Sequence, residues 1–415
     1  MKTRISAIII DPLKDEHNYD EVNIENDYLY YRPYGEIGFD ISVVKSADNI
    51  NSTLNLNRGF DCLITLGEGI DFAQLNNLSF EFRKKWIHMD EFKPKEMAHN
   101  IIDVFLYNIN RERPQEVKLF SIFTCTYNTT NDMFNRLYNS LKAQTYKNWN
   151  WYILDDSPLG VVAEKLKNVH DPRITVFTNV TNHGNIGFNK RTIAMACDGD
   201  YLVEVDHDDE LTPDCLFLLN KAFEEFPNTD FVYSHAMEEI DGHEVNYGND
   251  FAYGLGEYRL MNVLGVERNI ALTADINALS VRGIHALPNH VRCWSSSFYR
   301  KIGGHNPELA VLDDMDILIR TFLYGKMTKV DKVLYIQHEG TTAYSTRGAT
   351  TQAARFKEIQ RTNELLRWKY DDQIHYRLLE LCGEDPFWIN DDAKSNIRLT
   401  HEKLPIFNNI LYVNE

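Results

Sequence analysis

The sequence predicts an α/β protein whose main part is a mostly parallel, Rossmann-like sheet with helices on both faces. From residue 119 onward, short apolar runs alternate with segments that carry apolar residues at helical spacing, a pattern that is typical of βαβ units. Several of these runs stop abruptly at polar or acidic residues, as strands do where an open sheet binds its ligands. A small α/β domain is expected before this part, and a helical extension after it.

Length, composition and charge narrow the class of protein. The chain of 415 residues exceeds one typical domain, and 43% apolar residues with 12% aromatic residues are enough for packed cores. The net charge of −18 argues against general nucleic-acid binding, which needs a basic surface. The six cysteines are dispersed without a Cys-x-x-Cys pair, so we expect reduced thiols.

The apolar runs also bear on membrane insertion and export. No run is long enough to cross a bilayer. The N-terminal run, residues 5–10, is cut short by Asp11 and Pro12, so a signal peptide is not indicated. We therefore expect a cytoplasmic protein without a transmembrane segment.

Residues 1–113 are predicted to form the small α/β domain. Gly67 and Gly69 follow one of its strands, but their spacing is not that of a full Gly-x-Gly-x-x-Gly loop, so we expect a plain turn. The charged, proline-containing stretch 111–116 is interpreted as a linker. The predicted strands are 5–10, 61–66 and 86–89, and the predicted helix is 96–110.

The main domain, residues 114–345, begins with regular strand–helix alternation. Residues 241–289 lose this periodicity, as loops with a binding role often do. A long amphipathic helix, 352–370, belongs to the predicted helical extension, residues 346–415. The predicted strands are 120–126, 149–154, 174–177, 201–205, 231–237 and 328–336, and the predicted helices are 133–144, 161–169, one that carries Lys190, 213–226, 298–302 and 312–324.

An acidic cluster follows the predicted strand that starts at Tyr201. Asp206, Asp208 and Asp209 fall within four positions, and carboxylates this close repel one another unless a cation lies among them. Hard divalent cations prefer oxygen ligands, and Mg²⁺ often bridges carboxylates to phosphates. The cluster therefore indicates a metal–diphosphate site. The alternative is an acidic loop that caps the next helix. In both cases we expect Thr212 to be the N-cap of that helix.

Several short motifs resemble those of inverting glycosyltransferases of family two, and they occur in the family's order. Any one of them alone is weak evidence, but together they are specific. They span residues 119–344 and leave 1–113 outside the resemblance. The matching segments are 121–128, 144–149 and 155–157, then 199–201 with 206–209 (similar to "G-E-Y … D-x-D-D"), and 303–304 with 312–316 and Arg320 (similar to "G-G … E-D-x-D … R").

The resemblance implies a GT-A fold and an activity. A sugar would move, with inversion at its anomeric carbon, from a nucleotide-diphosphate donor such as a UDP-sugar. The acceptor would be a hydroxyl of a glycan, a lipid-linked molecule or a protein. The implied cofactor is Mn²⁺ or Mg²⁺.

For the nucleotide, the resemblance implies contacts at the first two strand ends. Tyr127 would stack on the base, with Thr126 beside it, unless Tyr127 only packs at its strand end. Asp155 or Asp156 would accept a hydrogen bond from the base or the ribose. Capping of a following helix is the alternative for this pair.

Around the diphosphate, the resemblance implies one cationic side chain and a metal. Lys190 or Arg191 would contact the diphosphate, the alternative being a solvated helix face. Asp206 and Asp208 match the "D-x-D" positions as metal ligands, with Asp206 also close to the nucleotide. His338 is a candidate further ligand, although a lone histidine is more often structural.

For the reaction itself, the resemblance implies that Asp314 removes the proton from the acceptor hydroxyl. Asp313 replaces the usual glutamate before it, and the two carboxyl groups are expected to raise the pKa of one of them. The alternative is an acidic helix N-terminus that the helix dipole favours. Trp294 is a candidate for lining the acceptor pocket, with a place in the core as its alternative.

Two other functions are compatible with parts of the sequence. A sugar-1-phosphate nucleotidyltransferase would need a glycine-rich, basic loop after the first strand, where this chain has residues 127–130. A binding module without turnover is disfavoured by the acidic cluster and Asp314. Residues 364–368 resemble the "Q-x-x-R-W" of processive synthases, but Glu364 replaces the glutamine, so we interpret them as an ordinary helix with its apolar side on the core.

Overall fold

The structure is a computed structural model. It describes residues 2–23, 36–45, 60–68, 70, 85–112, 118–158, 162, 165–166, 169, 171–179, 183–240, 242–248, 251–254, 256–284, 286–338, 352–382 and 406–413. Gly69 and most of the predicted linker and of the predicted helix 161–169 lie outside these residues. The chain divides into two compact units, 1–118 with 147–151 and 162–176, and 119–146 with 152–161 and 177–415. The predicted domain boundaries stay a prediction.

The first unit contains a four-stranded parallel sheet in the order β2-β1-β3-β4. Its elements are β1 (Lys2–Ile10), β2 (Glu36–Val44), β3 (Cys62–Leu66), β4 (Trp86–Met89) and the helix α1 (Pro94–Glu112). Ile9, Ile64 and Ile101 are among its fully buried core residues. Gly67, at the end of β3, has a φ of 74° and makes the predicted plain turn. The strand β2 was not predicted, because its half-buried residues mix polar with apolar types.

The second sheet of the described chain has ten strands and is mostly parallel, which confirms the predicted fold class. Its main order is β16-β15-β10-β14-β8-β5-β6-β7, with β9 on β15 and β11 on β10. The strand β14 runs antiparallel to both of its neighbours. The strands are β5 (Phe120–Thr126), β6 (Trp149–Asp155), β7 (Ile174–Thr178), β8 (Tyr201–Glu204), β9 (Glu210–Leu211), β10 (Phe231–Ile240), β11 (His243–Glu244), β14 (Arg292–Ser295), β15 (Met327–His338) and β16 (Asn408–Tyr412).

Helices connect these strands, and several begin at side-chain caps. The hydroxyl of Thr130 accepts a hydrogen bond from the backbone N–H of Met133, and the side chain of Asn185 accepts one from Phe188. The predicted cap Thr212 is wrong, since Asp214 holds the N-cap position of α4. The helices are α2 (Asn131–Lys142), α3 (Ile186–Ala196), α4 (Cys215–Glu225), α5 (Ser280–Gly283), α6 (Ser296–Lys301), α7 (Asp313–Tyr324) and α8 (Gln352–Cys382).

The stretch without periodicity, 241–289, contains a β-hairpin that the sequence did not predict. Its strands are β12 (Tyr258–Val263) and β13 (Val266–Ala271). Leu264 and Gly265 form the turn with φ angles of 52° and 83°, both in the left-handed region that a tight hairpin turn requires. The hairpin was missed because leucine is an unusual residue at such a position.

The long helix α8 has one face in the core. Its buried residues recur every four positions and pack in the same hydrophobic cluster as α7, whereas Trp368 is 90% exposed. Residues 364–368 are thus part of an ordinary helix, as predicted. The strand β16 is an unpredicted element of the C-terminal part. The buried residues are Leu366, Tyr370, Ile374 and Leu378.

No helix in the described part of the chain is both long and apolar enough to span a membrane.

Leu378→Ala is expected to lower the free energy of unfolding by about 2–5 kcal/mol, because it opens a cavity at a fully buried position. Trp368→Ala on the same helix is the matched control, with an expected change within about 0.5 kcal/mol. Urea denaturation of both variants measures the difference. Equal effects would show that the exposed face of α8 is covered in solution.

Candidate active site

The first two predicted strand ends are tied together by Asp155. Its carboxylate is fully buried and accepts hydrogen bonds from the Thr126 hydroxyl and from the backbone N–H of Ser157, both at 3.1 Å. Tyr127, the next residue of the β5 end, is half-buried. Asp155 therefore fixes the positions of the two strand ends for which the sequence predicts contacts with the nucleotide.

Asp156 organises a different loop. Its carboxylate accepts hydrogen bonds from the Asn179 side chain at 2.6 Å and from the backbone N–H groups of His183 at 2.8 Å and Gly184 at 3.0 Å. Burial opposes ionisation of this group, but these hydrogen bonds hold the pKa of Asp156 below its usual value. Asp156 thus stays charged and holds the turn before α3. The nucleotide contact of Asp155 or Asp156 stays a prediction.

Lys190 lies in the site, whereas Arg191 is a partly exposed residue of α3. The ammonium of Lys190 is buried at 2.6 Å from Glu204 Oε1, 3.6 Å from Asp206 Oδ1 and 3.8 Å from Asp313 Oδ2. Burial alone would lower its pKa, but these carboxylates raise the pKa of Lys190 well above the usual value. Lys190 therefore keeps its positive charge, and its ammonium lies between Asp206, a predicted metal ligand, and Asp313, the neighbour of the predicted base.

The acidic loop after β8 is held by Tyr335 of β15. The Tyr335 hydroxyl accepts a hydrogen bond from the backbone N–H of Asp206 at 3.1 Å and donates one to Asp209 Oδ2 at 2.7 Å. The backbone N–H of His338 donates to the other oxygen of Asp209 at 2.8 Å. Burial and the charges of Asp208 and Asp206 still raise the pKa of Asp209 well above its usual value. A cation near this carboxylate would relieve that repulsion.

Asp206, Asp209 and His290 form the candidate metal site. Each offers one ligand atom, and these three atoms lie within 4.8 Å of one another. The imidazole of His290 is buried and stacks on Tyr335 with ring centroids 4.1 Å apart. Burial lowers the pKa of His290 to about 3, so the ring is neutral, as a metal ligand must be. Two carboxylate oxygens and one imidazole nitrogen suit Mn²⁺, and the oxygens suit Mg²⁺.

His290 was missed by the sequence reasoning. It lies just before β14, directly after the stretch without periodicity, and no spacing connects it to the acidic loop. Its Nδ1 is buried without a hydrogen-bond partner, a feature that only three-dimensional structure reveals. The folding of β14 between β8 and β10 is what brings it to Asp206.

Two predicted ligands lie outside this cluster. Asp208 is half-buried, and its backbone carbonyl accepts a hydrogen bond from Arg136 at 2.6 Å. The ring of His338 lies between two glutamates, with Nε2 at 2.9 Å from Glu210 Oε1 and Nδ1 at 3.7 Å from Glu239 Oε1. The metal roles given to Asp208 and His338 stay predictions, and the geometry favours the cluster above.

Asp313 and Asp314 open α7 with pKa values displaced in opposite directions. Burial, reinforced by Asp314, raises the pKa of Asp313. Burial also acts on Asp314, but Arg292, whose Nη2 lies 3.1 Å from Asp314 Oδ2, outweighs it and holds the pKa of Asp314 below its usual value. Asp314 is therefore a carboxylate at neutral pH, able to accept a proton.

Glu204, the last residue of β8, is a second member of the site that the sequence reasoning missed. Its carboxylate is 1% exposed and lies 2.6 Å from Lys190 Nζ, 3.1 Å from Arg292 Nη1 and 3.2 Å from His305 Nε2. A buried carboxylate needs cations such as Lys190 and Arg292, because an unpaired charge in the core is costly. The available signal was one acidic residue inside the apolar strand 201–205.

Trp294 lies in the core, which favours the alternative that the sequence left open, and its acceptor role stays a prediction. The indole is fully buried in the core, and its Nε1 donates a hydrogen bond to the Thr321 hydroxyl at 3.0 Å. Because the ring is packed in the core and its N–H group is already hydrogen-bonded there, Trp294 fits the core position that the sequence analysis gave as the alternative.

Gly187→Ala is expected to distort the loop before α7. A Cβ atom at Gly187 would lie 2.2 Å from the carbonyl oxygen of Asn306 and 2.7 Å from that of Leu309, so backbone atoms must shift. We expect a lower melting temperature and slower turnover, measured on purified protein. Thr192→Ala, an exposed position of the same helix, is the control. An unchanged melting temperature for Gly187→Ala would contradict this packing.

Comparison with known proteins shows what the central part of the chain is similar to. Residues 121–275 match the model of "Glycosyl transferase family 2". An uncharacterized protein of Sinorhizobium fredii is 24% identical over 211 residues, which are 50% of this chain and 21% of the relative. WcaA of Escherichia coli, named as a colanic acid biosynthesis glycosyl transferase, is 27% identical over 225 residues, 53% of this chain and 72% of the relative. An uncharacterized glycosyltransferase of Haemophilus influenzae is 29% identical over 203 residues, 49% of this chain and 61% of the relative.

Solved structures give a weaker likeness. TarS 1–349 of Staphylococcus aureus in complex with UDP-GlcNAc has a TM-score of 0.45 and 16% identity, over 64% of this chain and 71% of that one. The matched family segment contains the ends of β5, β6 and β8, with Lys190 and the acidic loop. The central part of this chain is therefore similar to glycosyl transferase family 2.

Proposed function

We propose that this protein is a metal-dependent, inverting glycosyltransferase that moves a sugar from a nucleotide-diphosphate donor, a UDP-sugar first of all, to an acceptor hydroxyl. The observation that carries the proposal is that buried ion pairs connect a candidate cation site with a candidate general base. Asp206, Asp209 and His290 offer a cation site, and the ionised Asp314 is connected to it through Arg292, Glu204 and Lys190.

The cation site would hold Mn²⁺ or Mg²⁺. The ligand atoms of Asp206, Asp209 and His290 fit such an ion, since they combine carboxylate oxygens with a neutral imidazole. The bound ion would neutralise charge on the diphosphate of the donor. Lys190, which keeps its positive charge, adds to the attraction for that anion.

Asp314 is the proposed general base. The acceptor hydroxyl would donate its proton to the Asp314 carboxylate while its oxygen attacks the anomeric carbon. The bond to the leaving nucleoside diphosphate breaks on the opposite face, so the configuration inverts. Because Arg292 holds the pKa of Asp314 below its usual value, the base is ionised at neutral pH.

The acceptor is proposed to be a hydroxyl of a glycan, a lipid-linked molecule or a protein. The WcaA relative, named for colanic acid biosynthesis, supports a glycan among these. The chain spans 72% of that relative and 21% of the Sinorhizobium one, so the activity of the whole protein is part of the proposal.

Release of free nucleoside diphosphate tests the function. The protein is incubated with Mn²⁺ and a panel of nucleotide sugars, with and without mixtures of saccharide acceptors, and EDTA serves as the metal control. We expect one donor class to release nucleoside diphosphate in a metal-dependent way and to yield a product of inverted anomeric configuration. Pyrophosphate as product would indicate a nucleotidyltransferase, and no release with any donor would indicate a binding module.

A further inference from the structure

Arg292 stands behind the proposed base and contacts it through one arm of its guanidinium. Its Nη2 lies 3.1 Å from Asp314 Oδ2, and its Nη1 lies 3.1 Å from Glu204 Oε1. Arg292 also pairs with Glu204 in the register of β14 and β8, so its backbone is fixed by the main sheet. One planar fork thus joins the sheet to the start of α7.

The far side of this fork is firmly held. Glu204 is contacted by Lys190 at 2.6 Å and by His305 at 3.2 Å, in addition to Arg292. The ring of His305 is held in turn by the Tyr299 hydroxyl, 2.7 Å from its Nδ1. Because Glu204 is bound from three sides, it has little freedom to follow Arg292, and the guanidinium is anchored on the sheet.

The near side is open to a substrate. The Asp314 side chain is 26% exposed, whereas that of Arg292 is 2% exposed. An acceptor can therefore reach the carboxylate, but not the guanidinium behind it. The second Asp314 oxygen accepts a hydrogen bond from the backbone N–H of Met315 at 2.8 Å, so Arg292 is the side chain that holds the other oxygen.

We propose that Arg292 is a positioning residue, which aims the Asp314 carboxylate at the acceptor hydroxyl and is itself held by Glu204. This inference rests on the proposed function, in which Asp314 is the general base. In this role Arg292 does not contact the donor, so its loss should slow the chemical step without weakening nucleotide binding.

Four variants of the full-length protein test this role: Arg292→Gln, Arg292→Lys, Asp314→Asn and the double variant Arg292→Gln/Asp314→Asn. We expect Arg292→Gln to lower kcat by about 100-fold, the effect of a misplaced catalytic group, while the Kd for nucleoside diphosphate with Mn²⁺ stays within about threefold. Arg292→Lys should lie in between, because one ammonium cannot span both carboxylates. The double variant should be no slower than Asp314→Asn, since the arginine acts through the base.

A pH profile adds a readout that a merely structural role would not move. Asp314 faces Arg292 and Lys190, which favour its charge, and Glu204 and Asp313, which oppose it. Loss of the Arg292 charge should raise the pKa of Asp314, so the acidic limb of kcat should move to higher pH in Arg292→Gln. Arg282→Gln, which removes an arginine paired with Asp371 at 2.7 Å, is the control and should keep the wild-type profile.

Several results would overturn the inference. One is a double variant whose loss of kcat equals the product of the losses in the two single variants. A second is an Arg292→Gln protein whose affinity for the nucleotide weakens in parallel with its kcat. A third is wild-type kcat in Arg292→Gln when Asp314→Asn is inactive. Wild-type transfer by Asp314→Asn would refute the base and this inference together. If Arg292→Gln does not fold, an Arg292→Lys protein with wild-type kcat and an unmoved acidic limb would be the contrary result.

Discussion

Asp314→Asn is expected to slow sugar transfer by about 10²–10⁴-fold, the usual contribution of a general base. Asparagine keeps the size of the side chain but cannot accept the proton of the acceptor hydroxyl. Binding of nucleoside diphosphate should be unchanged, because Asp314 lies on the Arg292 side of the network and outside the metal cluster. Initial rates of transfer, together with calorimetric titration of the nucleotide, measure both effects.

Asp313→Asn is the matched control for this prediction. The two residues are neighbours in α7, but burial raises the pKa of Asp313, so a neutral amide is closer to its native state. We expect a smaller loss of transfer in Asp313→Asn than in Asp314→Asn. The reverse order would move the role of the base to Asp313, and wild-type transfer in both variants would exclude a carboxylate base on this helix.

Local patterns in the sequence pointed to two parts of the candidate site. Asp206 and Asp314 could be proposed because strand ends and short motifs are local, and both residues lie at such positions in the structure. Lys190 could not be separated from Arg191 in advance, since neighbouring residues of a helix share the same pattern. The burial of Lys190 beside Glu204 separates them.

The residues that join these ends could not be predicted by the same means. His290, Arg292 and His305 lie far along the chain from Glu204, and no periodicity connects them. They meet because β14 inserts antiparallel beside β8, and an antiparallel strand inserted in a mostly parallel sheet leaves no signature in a single sequence. Glu204 alone gave a local sign, as a charge in an apolar strand.

The prediction of the fold had the same limit, since a local sequence pattern does not encode contacts between distant parts of the chain. Parallel strands that are mostly buried, such as β5 and β8, were predicted close to their observed bounds. The strands β2, β12 and β16 were missed, because their partly exposed residues mix polar and apolar types. Their pairing comes from tertiary contacts that the local pattern does not encode.

Asp209→Asn is expected to weaken Mn²⁺-dependent nucleotide binding at least about 100-fold and to slow transfer accordingly. Loss of a partner that only supports a metal ligand already costs about 10–100-fold in metal affinity, and Asp209 is one of three residues whose ligand atoms lie within 4.8 Å. Calorimetric titration with nucleoside diphosphate, with Mn²⁺ and then with EDTA, measures the metal-dependent part.

Asp208→Asn is the sharpest comparison, because it makes the same change one residue away. The "D-x-D" pattern gave Asp208 the role of a direct ligand, whereas the structure groups Asp209 with Asp206 and His290. We expect Asp208→Asn to retain more metal-dependent binding than Asp209→Asn. The opposite order would return the ligand role to Asp208 and would mean that the acidic loop rearranges around the bound ion.

Stability without metal gives this prediction an independent check. The raised pKa of Asp209 means that its ionised form is disfavoured in the folded protein, so this charge lowers stability at neutral pH. Asp209→Asn removes the charge, and the metal-free variant should melt no lower than the wild type at pH 7. Added Mn²⁺ should then raise the melting temperature of the wild type and leave that of the variant nearly unchanged. A variant that melts lower without metal, yet gains as much from Mn²⁺ as the wild type, would show that Asp209 is structural and that the cation binds elsewhere.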